Sequence, residues 1–394
     1  MDGARKEEMK DSMKEIRKEL KKLTRSNKEA EKFIYQIINK RIKKTGISTR
    51  CYFVRKVSEY ISEETWDVPA KRLAFLAEMS TCVTYLENQL IDRKEGVITH
   101  KDIVQRQVSA QIIKNDLIPR YIRTYFPING DKIKAALDNI FASFSWGEYI
   151  EYEKLNLTAL KKNQVSHPIY ESLDRQVDVE SFMEVFAEWP ENQIISQEHF
   201  LRTYFSRTYL INTALYEQMT RLLLMISDKE EQEFEQLIQF ARWFGLIQQL
   251  VNDITDFVPF SWMEKRKEKG QEYKYHTKGK KILDTFADMR NGIVSLPLMM
   301  YHNSPKVEHH LHIQDGRLCL GDKGIPDTAE GQEHIAKILL VDAIPSAMKC
   351  VQHFAHLAKG LLPPSNDSTT LLLDMLSIAE NNTYYEIFLC AERH

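Results

Sequence analysis

Glycine and proline are scarce in this chain of 394 residues, 14 and 12 in all, so few breakers interrupt its periodic segments. An excess of charge of either sign is also missing. With 54 Lys and Arg against 56 Asp and Glu, the net charge of −2 gives no reason to expect a nucleic-acid partner. The cysteines Cys51, Cys82, Cys319, Cys350 and Cys390 are odd in number, scattered and without a CxxC pair. Neither a disulfide framework nor a structural zinc site is suggested, and free thiols in a reducing compartment are expected. No run approaches ~18 uninterrupted apolar residues, and the opening MDGARKEEMK has no apolar core after its charges. The expectation is a cytosolic (cytoplasmic) protein with neither a secretory signal nor a transmembrane segment.

What is present is enough apolar material for a large core: 43% of residues are hydrophobic, and the 28% that are charged are ordinary for a soluble protein. The apolar periodicity from 31 to 300 is helical nearly throughout. Phe234, Leu237, Ile238, Ala241, Phe244, Ile247 and Val251, for instance, mark one broad stripe. An all-α bundle follows, read as a single domain over 31–394 because no repeat or low-complexity linker divides it. Residues 1–30 are rich in Lys and Glu, with Met9, Met13, Ile16, Leu20 and Leu23 at helical spacing, which predicts an exposed amphipathic helix or arm. The pattern breaks over 303–333, where HLHI and RLCL flank Gln314, Asp315 and Gly316, predicting a short β-hairpin inside an irregular insertion. His309, His310 and His312 there are read as a solvated loop rather than a metal site. Two further helices are expected near 334–360 and 368–391.

The stretch most suggestive of chemistry is GLIQQLVNDITDF, residues 245 to 257. On a helix, Gln249, Asn252, Asp253 and Asp256 project toward one side while Leu246, Leu250 and Ile254 serve the packing. A row of side-chain oxygens with no Lys between them suits a hard cation such as Mg²⁺, which usually completes its shell with substrate phosphates and water. A solvated acidic face at a helix end accounts for the same spacing.

QLVNDITDF resembles the second aspartate-rich motif of the trans-isoprenyl diphosphate synthases and their class I terpene synthase relatives, with Asn252 in place of the first Asp. Other landmarks follow in that family's order. YLENQLIDRKEG (85–96) occupies the place of the first motif, with Asn88 and Gln89 for its Asp pair and Asp92 for its last Asp. SFSWGEYIEY (143–152) resembles the Gly-Gln segment, with Gly147, Glu148 and Glu151 in the matching places. SRTYLINTALYE (206–217) resembles the Lys-Thr helix through Arg207 and Thr208, and FADMRNGIVSLPLMMY (286–301) keeps Asp288, Gly292, Leu296 and Pro297 of a further signature.

The resemblance implies a class I isoprenoid synthase bundle around a central cavity, with the helices holding 81–92 and 245–257 facing one another. It implies Mg²⁺ held by Asn88, Asp92, Asn252, Asp253 and Asp256, and a substrate diphosphate met by Arg207, Thr208, Gln249, Lys280 and Arg50. Asp253, Asp256, Asn252 and Asp92 would carry the catalysis. The basic pocket for isopentenyl diphosphate is depleted: Gly46 and Arg50 alone remain of one motif, and Glu95 stands where an Arg is usual. Chain elongation is therefore disfavoured. The function implied is a terpene synthase that ionises an allylic isoprenyl diphosphate, with Phe75, Tyr85, Tyr209, Tyr216, Phe240, Trp243 and Phe244 either facing the carbocation or packing the core. The alternatives are a degenerate regulatory subunit of a prenyl diphosphate synthase and a prenyltransferase with another acceptor. The family implies a homodimer, or a heterodimer with a prenyl synthase.

Overall fold

The structure, a computed structural model, describes residues 49–62, 67–91, 99–162, 198–262, 285–303 and 311–362, and the single residues 14, 18, 22, 282, 370, 372, 373 and 376. Most of the arm over 1–30, the stretch from Asp92 to Gly96, Lys280 with its basic neighbours, His309 and His310, and most of the helix expected over 368–391 lie outside the described residues.

Helices dominate the rest. In order they are α1 (Thr49–Ser62), α2 (Val68–Ile91), α3 (His100–Ile112), α4 (Ile118–Tyr125), α5 (Gly130–Lys154), α6 (Leu157–Lys162), α7 (Glu198–Thr208), α8 (Ala214–Ile226) and α9 (Glu235–Thr255). After them come α10 (Ala287–Arg290), α11 (Leu296–Asn303), α12 (Ala329–Leu340) and α13 (Ala343–Leu361). One-turn π segments, Ile113–Leu117 and Tyr209–Thr213, join α3 to α4 and α7 to α8 without breaking the helical path. The starts follow local chemistry. Thr99 and Asp102 form a reciprocal capping box at α3, and Thr328 accepts from the Gly331 amide at 3.0 Å at α12.

The hairpin is where the sequence predicts it. Leu311–Gln314 (β1) pairs antiparallel with Arg317–Leu320 (β2), and Asp315 and Gly316 turn between them with φ of 51° and 77°, the pair of positive angles that a two-residue hairpin loop requires. The single helix expected over 334–360 is instead two. Pro345 has no amide to donate and its ring crowds the preceding turn, so α12 ends at Leu340 and α13 starts anew after Asp342.

The expected single stripe of the 235–255 helix is also revised. Phe240, Trp243, Leu246, Leu250 and Ile254 are buried along with Leu237, Ile238, Ala241, Phe244, Ile247 and Val251, so apolar residues surround most of α9. A helix of that kind belongs inside a bundle, and α8, α11, α13 and the 209–213 turn all pack against it. Helix α8 packs against α2 as well as α9, so it stands between the two motif-bearing helices. Phe53, Tyr216 and Phe244 lock α1, α8 and α9 together through ring contacts of 4.9 to 5.1 Å. Trp243 stacks on Phe354 of α13 at 5.1 Å, and Phe75 packs on Tyr121 at 4.7 Å. Most of the aromatic residues near the motifs are thus core residues, while Tyr85 is half-buried.

Candidate functional site

Two glycines bring the polar residues together. A Cβ on Gly147 of α5 would lie 2.5 Å from Ile211, and one on Gly245 of α9 would lie 2.7 Å from the Thr213 backbone. Both helices therefore close directly on the 209–213 π turn, which a larger residue at either place would push away. Asn212 in that turn donates to the Gly245 carbonyl at 2.7 Å, and its Oδ1 faces Arg50 Nη2 at 3.5 Å.

One turn upstream, Arg207 points into a fully enclosed space between α5, α7 and α9. Its Nε and Nη2 both pair with Glu151, and its Nη1 donates to Asp253 at 2.9 Å. The Asp253 carboxylate is also filled from both other sides: Tyr204 Oη donates to Oδ2 and Gln249 Nε2 to Oδ1, each at 2.7 Å. Arg207 is 3% exposed, Glu151 4% and Asp253 1%, so none of the three faces solvent. Burial works against the charge on Arg207, but Asp253 and Glu151 more than offset it and hold its pKa well above the ordinary arginine value. Burial and then the Asp253 charge likewise push the Tyr204 hydroxyl far up.

The next acidic residue along α9 behaves differently. Asp256 is partly exposed, and its backbone carbonyl accepts from Phe286 N–H at 2.8 Å while its Oδ2 accepts from Asp288 N–H at 3.1 Å. Asp288, also partly exposed, is pushed well above the usual carboxylate range by burial and then by Asp256, Asp253 and Glu151, with Arg207 acting in the other direction. Asp253, Glu151 and Asp288 all act on the Arg207 guanidinium, and Asp256 lies close enough to Asp288 to raise its carboxyl. Asn252 adds an exposed amide oxygen on the same turn of helix.

On α2, Asn88 uses its amide as a donor to Glu148 at 3.2 Å, and Gln89 donates to Tyr85 at 2.7 Å. Glu148 lines a cavity of about 470 Å³ between the end of α2, α3 and α5, together with Glu87, Glu153, Phe144, Tyr149 and Tyr152. Burial raises Glu87 there, with Lys114 opposing it. An acidic, aromatic cavity of this kind disfavours a diphosphate.

Solved structures resemble this chain over nearly its whole length. A decaprenyl diphosphate synthase from Rhodobacter capsulatus matches with a TM-score of 0.61 at 14% identity, covering 95% of this chain and 97% of that one. The chain has the trans-isoprenyl diphosphate synthase fold. Two further structures with the synthase fold agree: heptaprenyl diphosphate synthase from Staphylococcus aureus (TM-score 0.60, 14% identity, 95% and 98% covered) and geranylgeranyl pyrophosphate synthetase from the archaeon Geoglobus acetivorans (0.61, 14%, 95% and 99%). No family model matches the sequence, and no curated protein does.

On this synthase fold the residues anticipated from sequence differ in their surroundings. Gln249, Asp253 and Arg207 come together, but as partners of one another: Arg207 is neutralised by two carboxylates and Asp253 is saturated by three donors. Thr208 is buried and its hydroxyl donates back to the Tyr204 carbonyl at 2.9 Å within its own helix. Asn252 and Asp256 remain accessible, Arg50 is half-buried beside Asn212, and Asp92 and Lys280 lie outside the described residues. Tyr204, Glu151 and Asp288 complete the arrangement. Spacing could have suggested Tyr204, one turn before Arg207, but nothing local marks Glu151 as its partner.

Among the described residues no group of three or more His, Cys, Asp or Glu is arranged to hold a metal ion by itself. The donor set does fit Mg²⁺ bound in its usual manner, by one or two carboxylates with substrate phosphates and water completing the shell. Asp256, Asp288 and the Asn252 oxygen are the accessible donors for it. No helix among the described residues is long and apolar enough to cross a membrane.

Proposed function

We propose that this chain is a class I enzyme acting on an allylic isoprenyl diphosphate, ionising it to give a cyclic or linear terpene. The observation that carries the reading is the Asp256–Asp288 pair, two partly exposed acidic residues at the end of the central helix, joined by the bond from the Asp288 amide to Asp256 Oδ2 and close enough for the Asp256 charge to raise the Asp288 carboxyl. Mg²⁺ bound there would supply a Lewis acid that neutralises the charge developing on the departing diphosphate. Asp256 and Asp288 would hold the ion, with the Asn252 oxygen as a neutral ligand. Asp253, Arg207, Glu151, Tyr204 and Gln249 fix the helix that carries Asp256, and Arg50 together with Lys280 provides cationic contact to the diphosphate. Incubation of the purified protein with Mg²⁺ and allylic diphosphates of ten to twenty-five carbons, with and without isopentenyl diphosphate, tests this. A terpene product without elongation is expected, and the absence of diphosphate release from every substrate overturns the reading.

A second reading, a degenerate regulatory subunit of a prenyl diphosphate synthase, is favoured by one feature. The amide nitrogens of Asn88 and Gln89 are engaged as donors to Glu148 and Tyr85, so these side chains, which stand where the resemblance places an Asp pair, make internal contacts. That reading expects no turnover in isolation and a change in a partner synthase that survives Asp256→Ala. Assembly as a homodimer or with such a partner belongs to the same test, read by sedimentation of the chain alone and mixed.

A further inference from the structure

The hairpin and α12 play no part in the site as described, yet their contacts converge on one point of backbone, Thr285. Gln332 of α12 is fully buried and uses both ends of its amide. Its Oε1 accepts from Phe260 N–H at 3.3 Å and from Thr285 Oγ1 at 3.1 Å, while Nε2 donates to the carbonyls of Ile282 at 3.2 Å and Pro326 at 2.8 Å. Those bonds match the two lone pairs and two N–H groups the amide possesses. From β2, Arg317 pairs with Asp327 at 2.9 Å, and Asp327 lies 3.8 Å from Arg290, whose Nη1 donates to the Thr285 carbonyl at 2.6 Å. Thr285 is held by side chain and carbonyl alike.

The residue after it is strained. Phe286 has φ of 56°, in the left-handed region that a bulky side chain rarely adopts, and its buried ring meets Phe257 edge-on at 5.6 Å. This turn aims two amides at Asp256: that of Phe286 at the backbone carbonyl and that of Asp288 at Oδ2. If Phe286 relaxed to a negative φ, the two amides could no longer point at one residue.

We propose that Gln332 is a positioning residue: by locking Thr285 and the strained turn at Phe286, it sets the geometry of the Asp256–Asp288 pair, and through that geometry the affinity of the pair for a divalent cation. The cation part rests on the function proposed above, whereas the positioning part does not. Gln332→Leu keeps the volume and removes all four bonds, and Thr285→Val removes one of the four together with that hydroxyl's contact to the Ile282 carbonyl at 3.1 Å. Hydrogen exchange at the Phe286 and Asp288 amides, and Mn²⁺ binding followed by its paramagnetic resonance signal, are measured on the full chain of each variant.

In Gln332→Leu, exchange at those two amides should quicken about tenfold or more while α8 stays protected. Mn²⁺ affinity should fall about tenfold, the usual effect of losing support behind a ligand. Thr285→Val should move both in the same direction by less, and it carries the test alone if Gln332→Leu does not fold. Wild-type protection at both amides, or loosened amides with unaltered Mn²⁺ affinity, overturns the proposal. If the wild type binds no Mn²⁺ either alone or with inorganic pyrophosphate present, the function proposed for the pair is lost, and the exchange rates alone decide the positioning.

Discussion

Replacing Arg207 by Ala separates two roles that the sequence alone confuses. As a diphosphate ligand, Arg207 would contribute to binding and little to folding. As found, it lies between Glu151 and Asp253, which are 4% and 1% exposed, and its removal leaves both anions buried with their main counter-charge gone. Breaking a buried ion pair from one side typically costs about 3–5 kcal/mol, because an uncompensated charge remains inside. Tyr204 and Gln249 still donate to Asp253, which places the expected loss toward the lower end of that range. Urea denaturation of wild type, Arg207→Ala and Arg207→Lys at neutral pH measures this. Lys keeps the charge but cannot span two carboxylates with a planar fork, so it should fall between the other two. An Arg207→Ala protein as stable as wild type, with only its diphosphate affinity reduced, would refute the reasoning and restore the ligand role.

Two further outcomes follow from the same charges. Asn88→Asp places a carboxylate against buried Glu148 in place of a donor, so it should destabilise the fold by roughly 1–3 kcal/mol, the cost of taking a donor from a buried acceptor, and should not tighten Mg²⁺ binding. A thermal melt with and without Mg²⁺ reads both. Asp288→Asn should stabilise the metal-free protein at neutral pH. The Asp288 carboxyl titrates well above the ordinary 3.8, so in the wild type stability is lost as pH rises from the unfolded value through the raised folded one, and the amide removes that loss. The difference in melting temperature should vanish below about pH 4 and should narrow at neutral pH when Mg²⁺ is added.

The helical bundle and its hairpin were legible because both rest on local rules: period 3.6 along α9, and a two-residue Asp-Gly turn between alternating strands. The order of motif-like segments led to the synthase fold at 14% identity because several weak matches in sequence constrain topology together. What local spacing does not specify is which cation meets which carboxylate. Arg207 stands at a position that suggests a ligand contact, but its partners lie 56 residues before it in the chain and 46 after it, and only the close approach allowed by Gly147 and Gly245 brings them into range. The placement of Asn252, Asp253 and Asp256 along one helix was readable. That Asp253 is sealed and Asp256 is not depends on the loop at 285–288 and on α7, which no helical wheel contains.

The central claim is that cation binding has moved to one side of the site, onto Asp256 and Asp288. Mg²⁺-dependent release of diphosphate from an allylic substrate, compared across wild type, Asp256→Ala, Asp288→Ala and Asn88→Ala at matched folded concentrations, tests it most directly. The account predicts release by wild type, its loss in both aspartate variants, and substantial release retained by Asn88→Ala. Release that persists in Asp256→Ala, or that disappears in Asn88→Ala while both aspartate variants remain active, would contradict it.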